Sequence, residues 1–158
     1  GKNICIIGDI LHSRVARSTS ILLKTLGANV GLLAPGTLLP YDVSDWGVSL
    51  FRTIDDAVEW ADGLNILRIQ RERMASGLLP SLEEFSNFFG VKMFHLNRKP
   101  NLLIMHPGPV NYGVEIDHDV AHAVQSVIQK QVTNGVAVRM AVMALLAENI
   151  DAKQSTKL

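Results

Sequence analysis

Three short stretches of this sequence place cationic and hydrogen-bonding side chains immediately after an apolar run. The first is Gly8-Asp9-Ile10-Leu11-His12-Ser13-Arg14, the second carries Arg68, Gln70, Arg71 and Arg73, and the third is His106-Pro107-Gly108-Pro109. Arginine offers a planar fork that takes a carboxylate through two parallel hydrogen bonds, so two arginines can clamp a dicarboxylic acid at a fixed spacing. A helix starting at Ser13 adds unpaired N–H groups that favour an anion. Gly108 between two prolines gives a stiff turn whose backbone can approach a small substrate. Arg14, in the first turn of a helix, fits a solvated surface position as well as a ligand contact. Arg68 is harder to place on a surface, because it interrupts the run Asn65-Ile66-Leu67-Arg68-Ile69 and a buried arginine needs a partner or a ligand. Gln70 shares its face by the strand period of two. Arg71 and Arg73 read as solvent-facing or structural. His106 fits a satisfied turn histidine and a ligand contact equally, and Asp9 fits a residue that orients the following turn. Cys5, inside an apolar run, reads as inert packing.

Other chemistries lack their residues. No G-x-G-x-x-G follows the first apolar run, and there is no Walker lysine, metal-ligand cluster or G-x-S-x-G elbow. A nicotinamide-binding domain is therefore excluded, and neither a cofactor nor a metal is expected. Fifteen basic residues balance fifteen acidic ones, so no net field draws in nucleic acid or an anionic membrane. A single cysteine rules out an internal disulfide and fits a reducing, cytoplasmic setting. No apolar stretch is long enough to span a bilayer. With 47% hydrophobic and 19% charged residues, the 158-residue chain predicts one compact domain over residues 1–158. It opens on Gly1-Lys2-Asn3 with no methionine, which suggests a piece of a longer protein.

Short apolar runs alternate with helical patterns, and this predicts an α/β fold: a doubly wound parallel sheet with helices on both faces, Rossmann-like. Strands are expected at residues 4–7, 29–33, 48–51, 64–69 and 102–105. A first helix is expected over about 13–26, with Val15, Leu22 and Leu26 along one face and Gly27 as its stop. Thr53 with Asp55 and Asp56 starts a second, and Pro80-Ser81 starts a third over 82–89, ended by Gly90. In such sheets ligands bind beyond the carboxyl ends of the strands, where strand order reverses, and all three polar stretches fall at those ends. Residues 71–80 form an ordinary surface connection or a lid. The last helix, about 134–149, is unusual, since from Val136 to Ala147 only Arg139 is not apolar. Its own sheet covers one side of such a helix at most, so something else must cover the rest.

At these residues the sequence resembles the aspartate carbamoyltransferases, in the half that binds aspartate. The resemblance rests on Gly8-Asp9-Ile10 through Ser13-Arg14-Val15-Ala16-Arg17-Ser18 and on Leu67-Arg68-Ile69-Gln70-Arg71-Glu72-Arg73. It continues in Met105-His106-Pro107-Gly108-Pro109 with Gly113-Val114-Glu115-Ile116, and in Gln131-Val132-Thr133-Asn134-Gly135-Val136-Ala137-Val138-Arg139-Met140. The H-P-G-P form separates it from the ornithine-using relatives. The resemblance implies that Arg14 and Arg68 bind the carboxylates of L-aspartate with help from Gln70. It further implies that Gly108 and Pro109 offer main-chain groups to carbamoyl phosphate, and that residues 71–90 close over aspartate. The family's S-T-R-T-R segment, which grips the phosphate in an N-terminal domain, is absent from this chain, so no catalytic residue is assigned here. Also implied are a homotrimer with shared active sites, a cytoplasmic pyrimidine-biosynthetic role, and a last helix packed on the N-terminal domain. One departure stands out: the family pattern H-P-G-P-x-N-R-G has Tyr112 where arginine is usual. A non-catalytic aspartate-binding or regulatory module is the alternative that this departure favours.

Overall fold

The structure, a computed structural model, describes residues 1–70, 77–79 and 81–155, with side chains as far as Glu148. Its sheet has five parallel strands: β1 (Asn3–Ile7), β2 (Asn29–Leu33), β3 (Ser49–Phe51), β4 (Gly63–Ile66) and β5 (Leu103–Met105). They lie in the order β3-β2-β1-β4-β5. The chain winds outward from β1 through β2 to β3, then returns to the other side of β1 for β4 and β5. The strand order therefore reverses between β1 and β4, which pair in parallel from Ile4↔Gly63 to Ile7↔Ile66. Cys5, Ile7, Leu33, Leu64, Ile66 and Ile104 enter one buried apolar cluster, while Ile6, Val30 and Leu32 enter a second. Both faces are covered, which is why the strands read as unbroken apolar runs. At Gly31 a β-carbon would lie 2.6 Å from the Phe51 ring and 2.8 Å from Trp60, so only glycine lets that ring pair settle over β2.

The expected strands are all present, but β4 stops at Ile66 rather than at residue 69. Its last bridge to β5 joins Asn65 to Met105, after which the β5 chain turns away into His106-Pro107 and the ladder has no partner to continue. Helix α1 (Arg14–Thr25) begins as its cap dictates, with the Ser13 hydroxyl accepting from the Ala16 N–H at 3.1 Å. Gly27 follows it with φ +78°. The face of α1 that carries Val15, Leu22 and Leu26 is not its buried side. Val15, Leu22 and Leu26 are exposed, and Ala16 and Ser20 are buried instead, with Leu23 partly buried. Small side chains let the helix lie close to the sheet, and Ser20 satisfies its hydroxyl on the Ala16 carbonyl at 2.8 Å. Helix α2 (Ile54–Trp60) starts on Thr53 and α3 (Leu82–Phe89) on Ser81, each hydroxyl accepting from the N–H three residues on. Two short helices were not expected, α4 (Met93–Arg98) and α5 (His118–Ala121), nor were the 3-10 turns at Gly36–Leu38 and Val43–Trp46.

His95 on α4 titrates in a way that fixes a pH dependence. It is buried, its Nδ1 accepts from the Lys92 N–H at 2.9 Å, and burial holds its pKa below the ordinary 6.5. The unfolded chain takes up this proton at about pH 6.5, and the folded chain does so only at lower pH. The contribution is therefore complete above the unfolded value and is lost as pH falls through the window between the two. Urea midpoints between about pH 8 and about pH 5 are expected to fall toward acid. A His95→Gln variant is expected to flatten that slope; an equal slope in both proteins would remove His95 from the effect.

The last helix, α6 (Ile128–Ser155), starts earlier than the expected residue 134. Gly1–Ile128 and Gln129–Leu158 are separate compact units. Every residue of α6 from Val132 to Glu148 is exposed, including Val138, Met140, Met143, Leu145 and Leu146 at 59–66%. Among the described residues no helix is long and apolar enough to cross a membrane.

Candidate substrate-binding site

The exit of β1 is shaped by Gly8. Its φ is +124°, and a β-carbon there would lie 2.9 Å from the Leu67 carbonyl oxygen, so the chains leaving β1 and β4 touch at this point. Asp9 is buried and turns the loop: its Oδ1 accepts from the His12 N–H at 3.1 Å and from His12 Nδ1 at 2.9 Å. That bond puts the His12 proton on Nδ1 and leaves Nε2 as the outward atom. The expectation that Asp9 orients the turn holds. His12 itself was missed, although the D-x-x-H spacing in a loop entering a helix was the available signal. Arg14 is the first residue of α1 and is exposed. Together with Leu11, His12, Ser13, Arg17 and Trp46 it lines a cleft of about 370 Å³. Arg17 is already engaged, paired with Asp42 at 2.8 Å and lying over the Trp46 ring at 4.9 Å. Arg14 is the residue of that cleft best placed to meet an anion at the helix N-terminus.

Beyond β4 the alternation of the strand persists without its ladder. Leu67 and Ile69 are buried, while Arg68 and Gln70, which alternate with them, are half-buried. The two polar side chains thus share a side, as expected from the period of two. The Gln70 Oε1 is buried and has no hydrogen-bond partner among the described residues. An acceptor left in that state calls for a donor, and a small ligand with an amine supplies one. Arg68 and Gln70 do not line the Arg14 cleft; they lie on the adjoining β4 side of the reversal. Arg71 and Arg73, and the expected closing segment apart from residues 77–79 and 81–90, lie outside the described residues.

Beyond β5 the histidine question is settled by geometry. His106 is fully buried, its Nδ1 accepts from the Gly108 N–H at 2.8 Å, and its Nε2 lies 3.3 Å from Glu115 Oε1. With Nδ1 accepting, the proton sits on Nε2 and points at the carboxylate. Both nitrogens are used internally, so His106 is a satisfied turn residue and not an acid or base for a substrate. The Gly108 N–H is used as well, and proline has no N–H, so the backbone groups that Gly108 and Pro109 can offer are carbonyls. Gly108 holds φ +68° and is half-buried; Pro109 is exposed. Asn111 then ties this turn to the β4 exit, its Nδ2 donating to the Ile69 carbonyl at 3.1 Å. Three separate segments thereby meet at one edge of the sheet. Tyr112 is exposed, its ring 5.1 Å from His118 and 5.9 Å from His122.

This geometry has close counterparts among known proteins. Residues 1–146 match the model of the family described as aspartate/ornithine carbamoyltransferase, Asp/Orn binding domain. The aspartate carbamoyltransferase catalytic subunit of Gemmatimonas aurantiaca is 57% identical over 150 residues, covering 93% of this chain and 46% of that protein. The corresponding subunit of Halothermothrix orenii is 52% identical, covering 93% of this chain and 47% of that protein. The chain spans about half the length of the curated relatives it matches. Among solved structures, ornithine carbamoyltransferase from Pyrococcus furiosus superposes with a TM-score of 0.74 at 26% identity, over 92% of this chain and 49% of that one. Aspartate transcarbamoylase from Trypanosoma cruzi, in complex with N-(phosphonacetyl)-L-aspartic acid, gives 0.70 at 27% identity over 90% and 48%.

Proposed function

Because the chain belongs to the aspartate/ornithine carbamoyltransferase family through the Asp/Orn-binding domain, we propose that it is the half of an aspartate carbamoyltransferase that grips L-aspartate. Arg14 and Arg68 take the two carboxylates, each through its guanidinium fork. Gln70 Oε1 accepts from the aspartate amine. The Gly108 and Pro109 carbonyls accept from the carbamoyl N–H groups of carbamoyl phosphate, because these carbonyls, and not N–H groups, are what this turn has to offer. The observation that carries the reading is the meeting of the β1, β4 and β5 exits at the strand-order reversal, with two arginines and an unpartnered buried acceptor among them.

In the full-length enzyme the aspartate amine attacks the carbamoyl carbon, and phosphate leaves. The work of residues 1–158 is orientation, which removes entropy from the encounter and brings the amine in line. Charge that develops in the transition state falls to an N-terminal carbamoyl-phosphate domain, which also covers α6. The enzyme is a cytoplasmic homotrimer with active sites shared between subunits. A second reading, a non-catalytic aspartate-binding or regulatory module, rests on Tyr112, which sets a tilted ring near His118 and His122 in place of an arginine's charge.

Two assays test these readings, and the second separates them. The isolated chain, mixed with both substrates, is expected to form no carbamoyl-aspartate above the uncatalysed background. Turnover that follows the folded protein through purification would contradict the assignment of the phosphate-gripping groups elsewhere. Fused behind the first half of the Gemmatimonas aurantiaca subunit, the chain is expected to restore turnover. A folded, aspartate-binding chimera without turnover would favour the module.

A further inference from the structure

Glu115 lies outside every substrate contact named above, yet it is fully buried and meets two residues of the β5 exit. Its Oε1 accepts from the Asn111 N–H at 2.7 Å and faces His106 Nε2 at 3.3 Å. Its Oε2 is buried with no hydrogen-bond partner among the described residues. The carboxyl group therefore depends on two donors at one oxygen, and losing either leaves a buried polar group under-satisfied. Each donor leads to a different part of the site. His106 holds the Gly108 N–H at 2.8 Å, which sets the turn bearing Gly108 and Pro109. Asn111 reaches the Ile69 carbonyl at 3.1 Å, between Arg68 and Gln70 on the β4 exit.

We propose that Glu115, His106 and Asn111 are positioning residues, a buried brace that couples the carbamoyl-phosphate turn to the aspartate-binding strand exit. The inference rests on the aspartate carbamoyltransferase reading and adds to it a route by which the two subsites communicate. A ligand that settles the Gly108–Pro109 turn shortens the freedom of Asn111, and Asn111 fixes the backbone that aims Arg68 and Gln70. The coupling is reciprocal by thermodynamic necessity.

The test uses the intact enzyme carrying this domain, and succinate as the probe, since it has both carboxylates and no amine to react. Its dissociation constant is measured with and without carbamoyl phosphate, and the ratio of the two is the coupling. In Asn111→Ala the ratio is expected to fall by about fivefold or more while succinate still binds. Glu115→Ala is expected to lose it too, and Glu115→Gln, which keeps one oxygen for both donors, to retain most of it. A general loss of stability would weaken binding in both states and leave the ratio alone. Succinate binding with an unchanged ratio in folded Asn111→Ala overturns the brace. Failure of the wild-type enzyme to bind succinate at all overturns the aspartate reading, and the brace with it.

Discussion

Replacing Arg68 by alanine in the full-length enzyme is expected to weaken aspartate binding by about a hundredfold, or roughly 3 kcal/mol. The size follows from its position. Arg68 is half-buried, so a bond it makes to a ligand is screened less by water than one made on an open surface. A charge-assisted bidentate bond in such a setting is worth more than an exposed ion pair. Arg68→Lys is expected to be clearly impaired as well, because a point charge does not reproduce the fork. The readout is the aspartate dependence of the rate, with carbamoyl phosphate saturating. An unchanged aspartate dependence in both variants would remove Arg68 from the site.

Self-association of the isolated chain through α6 is the second large effect. Val136, Val138, Met140, Val142, Met143, Leu145 and Leu146 are each 50–66% exposed. Full burial of such a side chain is worth roughly 1.5–3 kcal/mol, so covering what each leaves exposed is worth about half of that. Over seven residues the sum is roughly 5 kcal/mol or more, which is comparable to the stability of a small domain. Neighbouring residues such as Met143 and Leu145 point in different directions around the helix, so one flat contact cannot cover them all. The expected result is a molar mass that rises with concentration in light scattering, and a monomer once the residues after Asn134 are removed. A strictly monomeric chain with α6 intact would contradict this.

The parts of the fold that the sequence reveals are those that local chemistry specifies. Ser13, Thr53 and Ser81 start helices because a hydroxyl meets an N–H three residues on, and Gly27 ends one because only glycine accepts that φ readily. The short α4 escaped notice because its start at Lys92 lacks a serine or threonine; His95 supplies the capping acceptor instead. The buried side of α1 was not legible, because apolar size marks Leu22 and Leu26, whereas close packing selects Ala16 and Ser20. Among the candidate site residues, Arg68 and Gln70 were legible as candidates because they end an apolar run. The roles of His12 and Glu115 were not, because each depends on a partner whose direction only the folded loop sets.

The most direct measurement is a titration of the isolated chain with L-aspartate, followed by the chemical shifts of its backbone amides. The account predicts saturable shifts at millimolar concentration, confined to Gly8–Arg14, Leu67–Gln70 and the Met105–Asn111 turn, and lost in Arg68→Ala. Saturable shifts centred instead on the cleft of Arg17, Lys24 and Trp46, or shifts that persist unchanged in Arg68→Ala, would contradict it.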